Sequence, residues 1–245
     1  MNTESKFHLY LTKEELRKLL WILISFDVFL ALMYLLIFVI APDFPWGPID
    51  NYFDLDNDLS IPSWFASLQY LYIAIPTFIS VMRLGKGSLI SKRLLYFIAA
   101  ISVFLALDEG VGVHEQLTVM AQKLDIQFLK SLSFGNHGTW ISIYAFLGII
   151  LILLVYRDLL SIWTTYRKEW LYIFIGAIFL VMGEVGFEVL SYLFLRTSTS
   201  DLLYNLEVIV EEFFALVGVS LMFYGMLLFL MKIQQENRSE SQMVG

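Results

Sequence analysis

The sequence predicts an all-α, polytopic integral membrane protein, a bundle of six transmembrane helices. Of the 245 residues, 58% are hydrophobic and only 16% are charged, whereas soluble domains have about 25% charged residues. Six apolar stretches come close to, or exceed, the roughly 20 residues that a helix needs to cross a bilayer. These stretches are residues 19–41, 62–82, 93–114, 139–156, 170–195 and 205–231.

The segments outside the spans are short, which leaves no room for a separate soluble domain. Residues 1–18 are predicted to be an amphipathic N-terminal segment, in which Thr12 and Glu15 have the spacing of a capping box. Residues 19–231 form the predicted transmembrane domain. The polar tail, residues 232–245, is predicted to be disordered.

The lysines and arginines predict that both termini face the cytoplasm. With the N-terminus inside, thirteen of the sixteen basic residues lie in inner segments, and only Lys123, Lys130 and Arg196 lie outside. This asymmetry follows the positive-inside rule. The outer portion then holds fifteen acidic residues against those three basic ones. Such a negative surface would concentrate cations.

The third span ends in the stretch FLALDEGVGVHEQL, which carries Asp108, Glu109, His114 and Glu115. Ionisable groups within a span are costly and therefore indicate a functional site. Because Asp108 and Glu115 are seven residues apart, a continuous helix would place them on one face. The structural alternative is a protonated, hydrogen-bonded acid at Asp108 or Glu109, and a helix cap or surface position for His114.

Two other spans carry acids at a similar depth. Glu184 and Glu188 lie near the outer end of span 5, and Glu207, Glu211 and Glu212 lie at the outer start of span 6. Counting 1.5 Å per residue brings all three spans to the same outer third of the bilayer. Glu184 and Glu188 could be protonated structural acids, and the three acids of span 6 could lie on a solvated helix extension.

These residues together predict an outward-facing pocket that binds a cation. Carboxylates with one imidazole are typical ligands of manganese, iron, magnesium, calcium or zinc, so the predicted cofactor is a divalent metal ion. Gly110, Gly112, Gly183 and Gly186 flank the acids and would allow close helix packing. The predicted metal ligands are Asp108, Glu109, His114, Glu115, Glu184, Glu188, Glu211 and Glu212.

Other polar residues have simpler explanations. Asp54, Asp56 and Asp58 alternate as at the start of an EF-hand loop, but Leu59 replaces the required glycine. A solvated turn is therefore the favoured interpretation, although the loop could cover the acidic site. Gln69 is expected at a depth similar to that site. Asp27, in span 1, is expected to be a protonated acid bonded to a neighbouring span.

Several classes of function are excluded by what the sequence lacks. It contains no cysteine, no phosphate-binding loop, no HExxH motif, no nucleophile elbow and no basic surface for nucleic acid. The Glu-x-x-His pattern of di-iron bundles is also absent. No catalytic residue is assigned.

Two segments, FDLDNDLSIPSWFASL and FLALDEGVGVHEQL, carry a resemblance to a known family. The chain resembles a group of bacterial multi-pass membrane proteins of unknown activity that share an IP-S/T-W segment and a DE…HE motif. The resemblance implies a location in the bacterial inner membrane. It also strengthens Asp108, Glu109, His114 and Glu115 as site candidates.

Three functions remain open at this point. The pocket could serve a metal-dependent membrane enzyme or sensor, with a carboxylate as base. It could instead belong to a cation- or proton-coupled transporter or channel. The third alternative is a structural membrane protein with protonated acids. The expected partners are the lipid bilayer and a cation; homo-oligomerisation is left open.

Overall fold

The computed structural model describes residues 11–85, 90–123, 139–191, 194 and 200–244. The described chain is helical, and its elements follow one another in this order: α1 (Lys13–Tyr34), α2 (Ile49–Tyr52), α3 (Ile61–Arg83), α4 (Lys92–Val111), α5 (Val113–Lys123), α6 (Thr139–Thr165), α7 (Arg167–Val181) and α8 (Asp201–Val244). Two π-helical turns extend these helices, Leu35–Ile40 after α1 and Met182–Phe187 after α7, the second followed by one α-helical turn, Glu188–Leu190.

The six-helix prediction is confirmed. Among the described residues, six helices are long and apolar enough to cross a membrane: Lys13–Ile40, Ile61–Arg83, Lys92–Val111, Thr139–Thr165, Arg167–Leu190 and Asp201–Ser239. The longest, α8, packs against α7, α3 and α1, and α4 packs against α3. The buried side chains of Ile73, Leu95, Ile162 and Phe229 lie in one apolar core, which joins α3, α4, α6 and α8.

The first helix starts at the predicted capping box and continues without a break into span 1. Thr12 Oγ1 accepts a hydrogen bond from Glu15 N at 3.2 Å, and the Glu15 carboxylate accepts one from Thr12 N at 2.7 Å. These two bonds satisfy backbone donors that the first helical turn leaves free. Residues 1–10 of the predicted N-terminal segment lie outside the described residues.

The third span is shorter than predicted. We expected a helix over 93–114, but α4 ends at Val111, and Gly112 has a φ of 62°. This left-handed conformation favours glycine and ends the helix, as in an αL cap. His114 and Glu115 therefore belong to a new helix, α5, and the expectation that Asp108 and Glu115 share one helical face is wrong.

The tail also differs from its prediction. Residues 232–244 continue α8 as a helix, where the sequence predicted disorder. Packing explains the first part of this extension, because Ile233 is buried in the core. In addition, Asn237 Nδ2 donates to Arg83 O at 2.9 Å.

Glycines bring α7 and α8 into close contact. A Cβ atom at Gly176 would lie 2.4 Å from Gly218 O, and one at Gly183 would lie 2.7 Å from Ala215 N. Small residues allow such close approach between membrane helices, so the prediction for Gly183 is confirmed. Gly186 has only ordinary contacts, the nearest at 3.6 Å, and its predicted role is wrong. The contact fixes the C-terminal end of α7 against α8.

This packing predicts a large effect of one methyl group. Gly176→Ala places a Cβ against the backbone of α8 and should lower the free energy of unfolding by about 1–3 kcal/mol, the usual cost of overpacking. Gly148→Ala is the matched control, since a Cβ there meets nothing within 4 Å. Thermal unfolding of both variants in detergent would measure the difference, and equal stability would contradict the close contact.

Candidate functional site

A polar cavity of about 340 Å³ lies at the end of the bundle that the sequence predicts to face outward, here called the acidic pocket. Its walls are formed by the loop before α3, the start of α3, the end of α4 and helix α5. The start of α6, the turns after α7 and the start of α8 complete them. Its polar lining consists of Asp56, Asp58, Ser63, Glu109, His114, Glu115, Thr118, Trp140, Glu184, Glu188, Tyr204, Glu207, Glu211 and Glu212, with Leu55, Val119 and Val208 as its apolar members.

Seven of the eight predicted site residues line this pocket. They are Glu109, His114, Glu115, Glu184, Glu188, Glu211 and Glu212. With Asp56, Asp58 and Glu207, the lining holds nine carboxyl groups and one imidazole. No lysine or arginine is among the described residues that line it. The acids of the three spans therefore line one pocket, and no lysine or arginine of the described lining balances their charge.

Asp108, the eighth predicted residue, lies behind His114 rather than in the lining. Its side chain is buried. Asp108 Oδ1 accepts a hydrogen bond from His114 N at 2.7 Å and lies 3.2 Å from His114 Nδ1. It thus satisfies a backbone donor in the first turn of α5 and orients the imidazole at the same time. Because Nδ1 faces Asp108, Nε2 is the nitrogen left for a ligand, as in carboxylate–histidine–metal arrangements.

The turn at Gly112 brings the loop before α3 into the pocket. A Cβ at Gly112 would lie 2.4 Å from Asp58 Oδ2, so only glycine permits this approach. As a result, Asp58, His114 and Glu115 each offer a ligand atom within 4.8 Å of the others. We define these three residues as the His114 group. Asp58 is the member that the sequence prediction missed.

The loop before α3 is held in this position because buried residues alternate with residues that face the pocket. Leu55 is buried among Leu30, Tyr34 and Val208, while its neighbour Asp56 faces the pocket. Asp56 Oδ2 accepts a hydrogen bond from Tyr204 Oη at 2.7 Å, which ties the loop to α8. The loop is therefore a wall of the pocket. Asp56 is an exposed turn residue, as the interpretation of a solvated turn predicts, whereas Asp58 is half-buried.

A second group of possible ligands lies on the α8 side of the pocket. Glu188, Glu207 and Glu211 each offer a carboxylate oxygen within 4.8 Å of the others, and we define them as the Glu211 group. All three are half-buried. This placement disagrees with the alternative in which Glu207 and Glu211 lie on a solvated helix extension.

The π-helical turn Met182–Phe187 carries Glu184, which lines the pocket. π-turns are rare and frequently occur at functional sites. Glu109, Glu184 and Glu212 all line the pocket, and the charge of Glu184 acts on both of the other two carboxyls. The sequence pattern contained no indication of the π-turn.

Burial and neighbouring charge shift the pKa values of the groups outside the spans. Burial raises the pKa of the Asp58 carboxyl, and the charge of Glu115 adds to the rise. For His114, burial lowers the pKa, but the hydrogen bond to Asp108 and the charges of Asp108 and Glu184 outweigh it, so that the pKa is about 9. Without a bound cation, His114 is therefore an imidazolium at neutral pH.

Gln69 does not line the acidic pocket, and its partner Ser220 lies eight residues beyond Glu212 on α8, so the expectation of a depth similar to that of the site is wrong. Its amide lies against Asp27 and Ser220 instead, at 3.2 Å and 2.9 Å. Asp27 is thus bonded to two neighbouring spans, on α3 and α8. Residue counting gives depth along a helix, whereas the rotation of α3 decides which neighbour Gln69 meets.

Removing the charge of Asp108 should lower the pKa of His114. In Asp108→Asn the imidazolium loses its carboxylate partner, so its pKa should fall from about 9 toward the usual 6.5. NMR titration of histidine-labelled protein would measure this, because the chain has three histidines and His114→Gln assigns the signal. An unchanged pKa would contradict the proposed pairing.

A methyl group at Gly112 should open the contact between the loop and α5. Gly112→Ala forces an unfavourable φ and displaces Asp58, which together should lower the unfolding free energy by about 1–3 kcal/mol. Gly110→Ala is the control, because the nearest atom to a Cβ there is Ser67 Oγ at 3.4 Å. Equal thermal stability of the two variants would contradict this account of the turn.

Comparison with known proteins adds a family but no activity. A family model described as a domain of unknown function, DUF8692, matches residues 21–229, which is most of the chain. No curated protein and no solved structure matches the chain. The chain therefore belongs to the DUF8692 family.

Proposed function

We propose that this protein is an integral membrane protein of the bacterial inner membrane that binds divalent cations in the acidic pocket. In this proposal the termini lie in the cytoplasm and the pocket opens outward. The observation that carries it is the convergence of nine carboxyl groups and one imidazole, without a lysine or arginine among the described lining residues. Such a set is stabilised by bound cations or by protonation.

The chemistry of the two groups supports cations over protonation alone. The His114 group combines two carboxylates with an imidazole whose Nδ1 faces Asp108. A buried partner that fixes a histidine in this way is typical of metal sites. The Glu211 group offers three carboxylates, a set of oxygen ligands that suits hard cations such as magnesium, manganese or calcium.

The pocket is larger than a cation requires, which supports a metal-dependent membrane enzyme. A volume of about 340 Å³ corresponds to roughly ten waters at 30 Å³ each. A divalent cation would supply activation of a water molecule or polarisation of a substrate oxygen. A carboxyl that does not hold the cation, such as Glu109, could then accept a proton.

The transporter alternative is favoured by one observation, the buried polar residues Asp27, Gln69 and Ser220 below the pocket. However, the seven residues between Glu212 and Ser220 on α8 are all apolar or glycine. They separate the two sites by about 12 Å along the helix. This gap supports a one-sided pocket, and passage of Mn²⁺ across a liposome bilayer that contains the protein would favour transport instead.

The central proposal predicts metal retention that depends on the pocket. Metal-stripped protein is loaded with Mn²⁺, dialysed and analysed for its elements. We expect bound Mn²⁺ in the wild type and at least about tenfold weaker binding in Glu184→Gln and Glu211→Gln, since each loses a charge at the site.

Asp201→Asn serves as the matched control, because Asp201 is an exposed acid on the same helix as Glu211 and does not line the pocket. It should retain as much Mn²⁺ as the wild type. Equal, near-zero metal in all four proteins would refute the cation-binding proposal.

A further inference from the structure

A basic cleft of about 500 Å³ lies between the start of α4 and the middle of α6, at the end of the bundle opposite the acidic pocket. We name it the arginine cleft; its lining residues are Ser91, Arg93, Leu154, Tyr156, Arg157 and Asp158. The predicted span 3 begins at residue 93 and the predicted span 4 ends at residue 156. The cleft therefore lies at a membrane surface in either orientation of the chain.

Arg93 joins the two helices across the cleft. Its Nη2 donates a hydrogen bond to Leu154 O and lies 3.9 Å from Asp158 Oδ2, while 60% of the Arg93 side chain stays exposed. Asp158 is the one acid among the described residues of the lining, so the two arginines leave the cleft with a net positive charge. Lys92, directly before Arg93, adds to this charge. Such a cleft attracts anions.

Arg157 is held in a way that leaves its strongest donors unused. Its Nε donates a hydrogen bond to Tyr156 Oη at 2.9 Å, and its guanidinium lies 5.7 Å from the centre of the Tyr156 ring. The two terminal nitrogens carry four N–H donors, and they have no hydrogen-bond partner among the described residues. A planar guanidinium with two free terminal nitrogens matches a pair of phosphate oxygens.

The helix faces on the bilayer side of the cleft match the apolar part of a lipid. Ile150 and Leu153 lie seven and four residues before Arg157, so they share its face of α6. On α4, Tyr96 lies one turn after Arg93. All three of these apolar side chains are exposed. A soluble anion would contact the arginines alone, whereas a phospholipid would cover this apolar surface as well.

We propose that the arginine cleft binds the phosphate of an anionic phospholipid. The terminal nitrogens of Arg157 donate to the phosphate oxygens, Arg93 supplies a second positive charge, and the acyl chains lie along Leu153 and Tyr96. Basic clefts between membrane helices on the cytoplasmic side are typical sites for anionic headgroups, and the orientation of the proposed function puts the cleft on that side. The site requires no cation in the acidic pocket.

Native mass spectrometry of the full-length, metal-stripped protein, with a chelator present, tests this proposal. The protein in detergent is mixed with dioleoylphosphatidylglycerol or with the zwitterionic dioleoylphosphatidylcholine at equal concentration, and the bound lipids are counted. We expect the wild type to retain more phosphatidylglycerol than phosphatidylcholine. Arg157→Gln should bind phosphatidylglycerol about fivefold more weakly, the usual effect of one basic residue near an anionic membrane surface.

Lys168→Gln is the matched control, because Lys168 is an exposed base at the same end of the bundle and does not line the cleft. It should bind phosphatidylglycerol as the wild type does. An equal loss in both variants would overturn the proposal, since the attraction would then be spread over the surface. Equal retention of the two lipids by the wild type, a comparison that needs no variant, would also overturn it. Displacement of phosphatidylglycerol by glycerol 3-phosphate would contradict the lipid assignment, because the phosphate alone would then be recognised.

Discussion

Repulsion between carboxylates at one end of the bundle is the constraint on which the rest of this structure depends. Two ionised ligand atoms 4.8 Å apart repel each other by about 3 kcal/mol at an effective dielectric constant near 20. A few such pairs match the 5–15 kcal/mol by which a folded protein is typically stable. A fully ionised, empty pocket is therefore destabilising. Protons or cations would lower this repulsion.

Three local features hold the repelling groups together despite this cost. The glycine contacts between α7 and α8 fix Gly183 against Ala215, directly beside Glu184 and Glu211. The left-handed turn at Gly112 leaves space for Asp58. Asp108 accepts a hydrogen bond from His114 N and thereby fixes the first turn of α5 and its histidine. The glycine contacts and the turn at Gly112 depend on packing and backbone conformation, so they do not depend on the charge of the pocket. The result is a preorganised set of carboxyls and one imidazole.

The sequence predicted the spans and the depth of the acids because both follow from counting residues. Glu109, Glu184 and Glu212 meet because three apolar runs start or end at the same height. Such a count does not show how each helix is rotated about its axis or where a helix is locally broken. The turn at Gly112, the π-turn around Glu184 and the direction of Gln69 toward Asp27 all depend on which neighbour a helix face meets. Asp58 was missed for the same reason, since its position depends on the burial of Leu55.

The most direct test of the account is a crystal or cryo-EM structure of the protein loaded with Mn²⁺, with anomalous scattering in the crystal case. The account predicts metal density in the acidic pocket, at coordinating distance from the His114 group, the Glu211 group or both. Carboxylates turned away from one another toward solvent, with no metal density between them, would contradict it.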